Sequence, residues 1–104
     1  MAAKKKAVPY DAAEFLDSEE AIAAYITEAL QTGDHKVISH AIGVAARAKG
    51  MTKIAEATKL SRESLYRALS EEGHPEFETV ERVIGALGLR LRAEPIRRRK
   101  KQAA

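Results

Sequence analysis

Between Met51 and Ser70 the chain reads MTKIAEATKLSRESLYRALS, and its chemistry-bearing side chains are donors and acceptors rather than a nucleophile beside a base. Arg62 and Arg67 can each donate two hydrogen bonds to the edge of a guanine. Glu63 can accept from the amine of cytosine, and Ser64 can do either. Tyr66 shares the outward face with them. Ten residues upstream, Thr52 and Lys53 open another short helix, where free backbone amides, the positive end of the helix dipole and a lysine together suit a phosphate. Ser61 caps the second helix of the pair through its side-chain oxygen. Base-reading groups on one helix and phosphate-holding groups at the start of the one before it are what DNA recognition requires.

These side chains need rigid elements behind them, because helices this short do not hold themselves together in water. Lys59-Leu60-Ser61 suits the turn of a helix-turn-helix over residues 51–70. Ile54, Leu60, Leu65 and Leu69 face inward, and small Ala55 allows the two helices to approach. The surrounding helices follow from apolar residues at helical spacing. Asp17-Ser-Glu-Glu20 has the form of a capping box, followed by Ile22, Tyr25, Ile26, Ala29 and Leu30, with Gly33 as the stop. Asp34 caps a second helix with a stripe of Val37, Ile38, Ala41, Ile42, Ala45 and Ala48, which ends at Gly50. Thr52 caps the third helix and Ser61 the fourth. After a Gly73-His-Pro75 turn, Phe77, Val80, Val83, Ile84 and Leu87 form a fifth, closed by Gly88.

Leu89, Leu91 and Ala93 alternate with Arg90, Arg92 and Glu94, the period of a half-buried strand. A lone strand leaves its backbone groups unpaired, so these residues are expected to pair across a two-fold axis with a second copy or with another protein; a frayed extended tail is the alternative. The expected fold is all-α, five helices with a helix-turn-helix over residues 51–70 and a short C-terminal β-strand. The folded region spans residues 10–95, between disordered basic tails at 1–9 and 96–104.

Charge is segregated along the chain. Residues 11–34 carry seven acids and no base, whereas residues 36–70 carry seven bases against Glu56 and Glu63. A basic block that coincides with the helix pair points to a polyanion, and an acidic block elsewhere to a basic partner. The Arg97–Lys101 run adds non-specific phosphate contacts or simply solubility.

The stretch 51–69 resembles the helix-turn-helix of lambda-repressor-like (XRE) regulators, and Tyr10 to Pro95 resembles the addiction-module antidote proteins, the HigA-like antitoxins. The residues that carry the resemblance are Glu14-Phe-Leu16, Ala23-Ala-Tyr25, Gly33-Asp34, Ala45-Ala-Arg-Ala-Lys-Gly-Met-Thr52, Leu60-Ser-Arg-Glu-Ser-Leu-Tyr-Arg-Ala-Leu-Ser70, Pro75, Phe77, Thr79 and Ala86-Leu-Gly-Leu89. It implies a homodimer that binds double-stranded palindromic operator DNA, and a small toxin partner of the RelE or HigB ribonuclease kind whose shared operon it represses. Two positions depart from the pattern. Lys59 stands where such turns usually carry Gly and must take a positive φ. Lys53 stands where Gln often contacts phosphate.

Ribonuclease toxins bind RNA and are basic around their active sites, which the acidic block would complement. The candidate toxin contacts are Glu14, Asp17, Glu19, Glu20 and Glu28, with Phe15, Leu16 and Tyr25 as apolar anchors; the alternative is a solvated face with those three in the core. Two other readings remain: a free-standing prophage-type repressor without a toxin, and an interaction module that has lost DNA binding.

Other classes are disfavoured. The chain has no cysteine, so neither disulfides nor thiolate metal sites arise. His35, His40 and His74 lack metal-ligand spacing, and the acids sit beside no nucleophile or Gly-rich loop. No catalysis, cofactor or metal is assigned. No apolar run is long enough to span a membrane, and the start of the chain lacks a signal-peptide core, so a cytoplasmic protein is expected.

Overall fold

The computed structural model describes residues 13–70 and 72–97. These form five helices: α1 (Glu19–Thr32), α2 (His35–Lys49), α3 (Met51–Thr58), α4 (Arg62–Ala68) and α5 (Phe77–Ala86). The expected tail at 1–9, Tyr10 to Ala12, and Arg98 to Ala104 lie outside the described residues.

The central element is α2, which packs against each of the other four helices. Its sequence explains this. Ala41, Ile42, Gly43, Val44, Ala45 and Ala46 are all buried, and small side chains on several faces of one helix let neighbours approach from several sides. Around it lie Ile22 and Ile26 of α1, Ile54 of α3, Leu65 of α4, and Val83 and Ile84 of α5, with Leu69 and Leu87 at the ends of the last two. Each such aliphatic side chain contributes about 1.5–3 kcal/mol on burial. This shared core holds α3 and α4, of eight and seven residues, in helical form.

Local stops and starts follow the side chains. Gly33 ends α1 at φ 70°, and Asp34 begins α2 by accepting from the Lys36 N–H at 2.9 Å. Two caps differ from expectation. Ser18, not Asp17, caps α1, its Oγ accepting from the Ala21 N–H at 3.1 Å. Thr52 does not cap α3. That helix starts at Met51 straight after Gly50, whose φ of 114° allows it to end α2 and begin α3 in one residue. Three residues of the expected apolar stripes, Leu30, Val37 and Phe77, are exposed.

The C-terminal strand is not formed. Leu89 to Arg97 has no regular secondary structure, and no strand occurs among the described residues. Leu89 and Leu91 are half-buried against the chain's own core, while Ala93 is exposed. The alternation is thus accounted for by an irregular segment that packs Leu89 and Leu91 on its own helices and leaves Arg90 and Arg92 exposed. Packing of this kind gives a two-residue period without a ladder partner.

Candidate nucleic-acid interface

The rotation of α4 is set by two apolar side chains: Leu65 is fully buried and the C-capping Leu69 nearly so. Arg62, Glu63, Tyr66 and Arg67 are therefore exposed, as expected from the sequence, and Tyr66 keeps 44% of its surface open. Ser61 caps the helix, its Oγ accepting from the Ser64 N–H at 3.0 Å and donating to Ser64 Oγ at 2.9 Å. Ser64 is half-buried and committed to that cap, so only its own hydroxyl proton is left for another acceptor. Arg67 and Glu63 approach to 3.7 Å with both side chains largely in solvent. Such a pair is worth little and separates readily for a stronger partner.

Thr52 and Lys53 lie exposed in the first turn of α3, where no side chain caps the backbone. The first amides of a helix have no intrahelical acceptor, and the dipole is positive at that end.

The turn between α3 and α4 is held from three directions. Lys59 has φ 64° and ψ 29°, the left-handed conformation expected at this position. Its N–H donates to the Ala55 carbonyl at 2.9 Å, and the Leu60 N–H donates to the same oxygen at 3.2 Å. The buried Thr58 hydroxyl donates to the Ile54 carbonyl at 2.7 Å. From α5, Arg82 Nη1 donates to the Thr58 carbonyl at 3.3 Å while Nη2 holds Glu78 at 2.7 Å. Sequence reading does not anticipate Arg82, which looks like an exposed helix residue. Gly43 was the more legible signal, since a glycine inside an Ala-rich helix hints at a close approach. A Cβ there would lie 2.8 Å from the Leu69 carbonyl oxygen.

Beside α4, a cleft of about 460 Å³ runs between it and α2. Buried Gly43, Met51 and Leu69 line it together with the exposed His40, Arg47, Tyr66, Ser70 and Glu72. Across the seam with α1, the Arg47 charge also reaches Tyr25. Burial raises the Tyr25 hydroxyl above its ordinary pKa, and Arg47 opposes that rise.

The residues expected to meet a toxin divide. Glu14, Asp17, Glu19, Glu20 and Glu28 are exposed, as is Phe15 at 72%. Leu16 is 8% exposed and belongs to the core, because a single helical turn over Ala13 to Phe15, with the Leu16 N–H on the Ala13 carbonyl at 3.2 Å, turns it inward. Tyr25 is half-buried against the same core. Leu16 thus lies in the core, whereas Tyr25 keeps part of its surface open. Glu19 also packs beside Gly88, where any Cβ would collide with its carboxylate. The rings of His35 and His74 stack at 5.3 Å, linking the start of α2 to the segment before α5. Among the described residues no three potential ligands gather as for a metal, and no helix is long and apolar enough to cross a membrane.

The chain is 44% identical over 88 residues to an uncharacterized protein of Haemophilus influenzae, an alignment that spans 85% of this chain and 91% of the relative. No solved structure matches it significantly. A family model described as "Probable addiction module antidote protein" matches residues 6–95. With that match extending from before α1 to the end of the packed C-terminal segment, the chain belongs to the addiction module antidote family.

Proposed function

We propose that this antidote has two activities. It neutralises a small basic ribonuclease toxin of the RelE or HigB kind by direct binding, and it represses their operon by binding palindromic operator DNA as a homodimer. The observation that supports the DNA half is the α3–α4 pair, which we read as a helix-turn-helix: its second helix is anchored by Leu65 and Leu69 and leaves Arg62, Glu63, Tyr66 and Arg67 exposed. In this reading α4 enters the major groove and reads base edges. Thr52 and Lys53 hold a phosphate, and two protomers occupy half-sites about 34 Å apart, one helical turn. The toxin half rests on the family and on the acids of residues 11–34, which suit a basic, RNA-binding surface.

Anisotropy titration of the DNA upstream of its own gene tests the first half. Arg62→Ala should lose about 1–3 kcal/mol of operator binding with little change on unrelated duplex, whereas Lys53→Ala should weaken both equally. Operator binding unaffected by Arg62→Ala would rule out this docking. Co-expression with the neighbouring genes tests the second half. A small basic protein should remain bound in stoichiometric amount after high salt and nuclease, and a chain that purifies only with itself would leave a stand-alone repressor.

A further inference from the structure

We infer that the cleft between α2 and α4 seats a phosphate group of the DNA backbone, with the Arg47 guanidinium as its charged donor. The inference rests on the DNA-binding reading above and adds to it a site on α2, outside the helix pair.

The position of the cleft comes first. Tyr66 belongs to the exposed face of α4 and also lines the cleft, so the cleft opens on the side that α4 presents. Met51 also lines it and is the first residue of α3, followed at once by Thr52 and Lys53. A strand whose phosphates pass the first turn of α3 while α4 occupies the groove therefore runs along the cleft mouth.

Chemistry comes second. Arg47 is exposed, and among the described residues it has no carboxylate partner. Its planar fork suits two phosphate oxygens. Tyr66, a second donor-bearing side chain, lines the same cleft. Glu72 also borders the cleft, so the anion must approach from the Arg47 side. The wider field favours an anion, since residues 36–70 carry seven bases and two acids.

Shape comes third. The volume of about 460 Å³ exceeds a methyl-sized gap, leaving room for a phosphodiester with part of its sugar.

The test measures binding of the full chain to its operator and to an unrelated duplex as a function of salt, for wild type, Arg47→Gln and Arg47→Lys. Melting by circular dichroism checks that each variant is folded. Arg47→Gln should weaken both duplexes by the same factor and flatten the plot of log affinity against log salt by roughly 0.9 per protomer engaged. That slope corresponds to about an eightfold loss per protomer engaged, roughly 60-fold for the dimer, at 0.1 M salt, and it vanishes towards 1 M. Arg47→Lys should keep the wild-type slope. A slope unchanged by Arg47→Gln, with operator binding still sensitive to Arg62→Ala, would overturn the seat and leave the helix-turn-helix reading standing. A slope lost equally in Arg47→Lys would overturn it as well, because a cation seated on a phosphate should still release its counterion. A wild-type chain that binds neither duplex would overturn both readings.

Discussion

Lys59 sits at φ 64° between the two short helices, a conformation that glycine adopts freely and a lysine adopts at a cost of about 1–2 kcal/mol. The fold accepts this cost because the Ala55 carbonyl takes two backbone N–H groups there and Arg82 holds the preceding carbonyl. Lys59→Gly removes the strain but gives the unfolded chain more freedom, which returns roughly 0.5–1 kcal/mol. The strain term is the larger, so the substitution should stabilise by about 0.5–1 kcal/mol, a rise of several degrees in Tm for a domain of this size. A lower Tm would mean that the lysine side chain makes a contact worth more than its backbone strain. Tyr25 is a second residue with a measurable signature. Its hydroxyl is raised above 10 by burial in the folded state, so the folded chain holds that proton more tightly than the unfolded one. Its contribution is complete below pH 10 and is lost as pH rises through the folded value. Urea titrations across pH 9–11 should show a shallower loss of stability for Tyr25→Phe than for wild type; parallel curves would remove Tyr25 from the alkaline transition.

Elements were legible in proportion to how local their causes are. Asp34, Ser61, Gly33 and the positive φ at Lys59 all act within a few residues, and each appears where the sequence indicates it. Ser18 took the cap expected of Asp17 because the two are adjacent and both have a short side-chain oxygen, a choice decided by geometry beyond the pattern. Phe77, Leu30 and Val37 fit an apolar period yet stay exposed, since each helix carries more apolar residues than its contact stripe can cover. The outward face of α4 could be read because Leu65 and Leu69 are close in sequence. The cleft and the Arg82 bond could not, since Arg82 reaches a residue 24 positions away. The meeting of α2 with the end of α4 makes its own prediction. Replacing Gly43 with Ala raises helix propensity by about 1 kcal/mol, but the new Cβ would lie 2.8 Å from the Leu69 oxygen, and such overpacking costs typically 1–3 kcal/mol. The clash should win, so Gly43→Ala is expected to lower stability and to push α4 away from α2. Chemical denaturation measures the sign directly, and a gain in stability would mean that the two helices separate without resistance.

At the scale of the molecule, charge is divided between the parts of the fold. The acids of residues 11–34 other than Asp34 lie on and before α1, while α3, α4, the turn between them and the end of α2 carry the bases of residues 36–70 other than Lys36. α1 packs chiefly on α2 and has no comparable contact with the α3–α4 pair, so the acidic element and the proposed DNA-reading element are physically distinct. An antidote arranged this way can present one surface to a basic protein and another to DNA without one charge set cancelling the other. Glu20 and Glu28 are exposed and take no part in an ion pair among the described residues. Reversing both to Lys should leave folding nearly unchanged, because surface substitutions away from packing rarely exceed about 0.5 kcal/mol. Toxin association should slow on the order of tenfold at low salt, since steering by complementary charge acts on the on-rate, and the difference should shrink as salt approaches the point where the Debye length is about 3 Å. Operator affinity should hold or rise slightly, because two negative charges that repel DNA are gone. Stopped-flow association with the co-purified toxin, run beside operator titration, separates these effects. An on-rate indifferent to the reversal would mean that the toxin is captured elsewhere, with the exposed acids serving only as a solvated face. A fall in operator affinity of the same size would mean that the two surfaces are not independent, and that α1 takes part in holding α2 and the helix pair in their reading position.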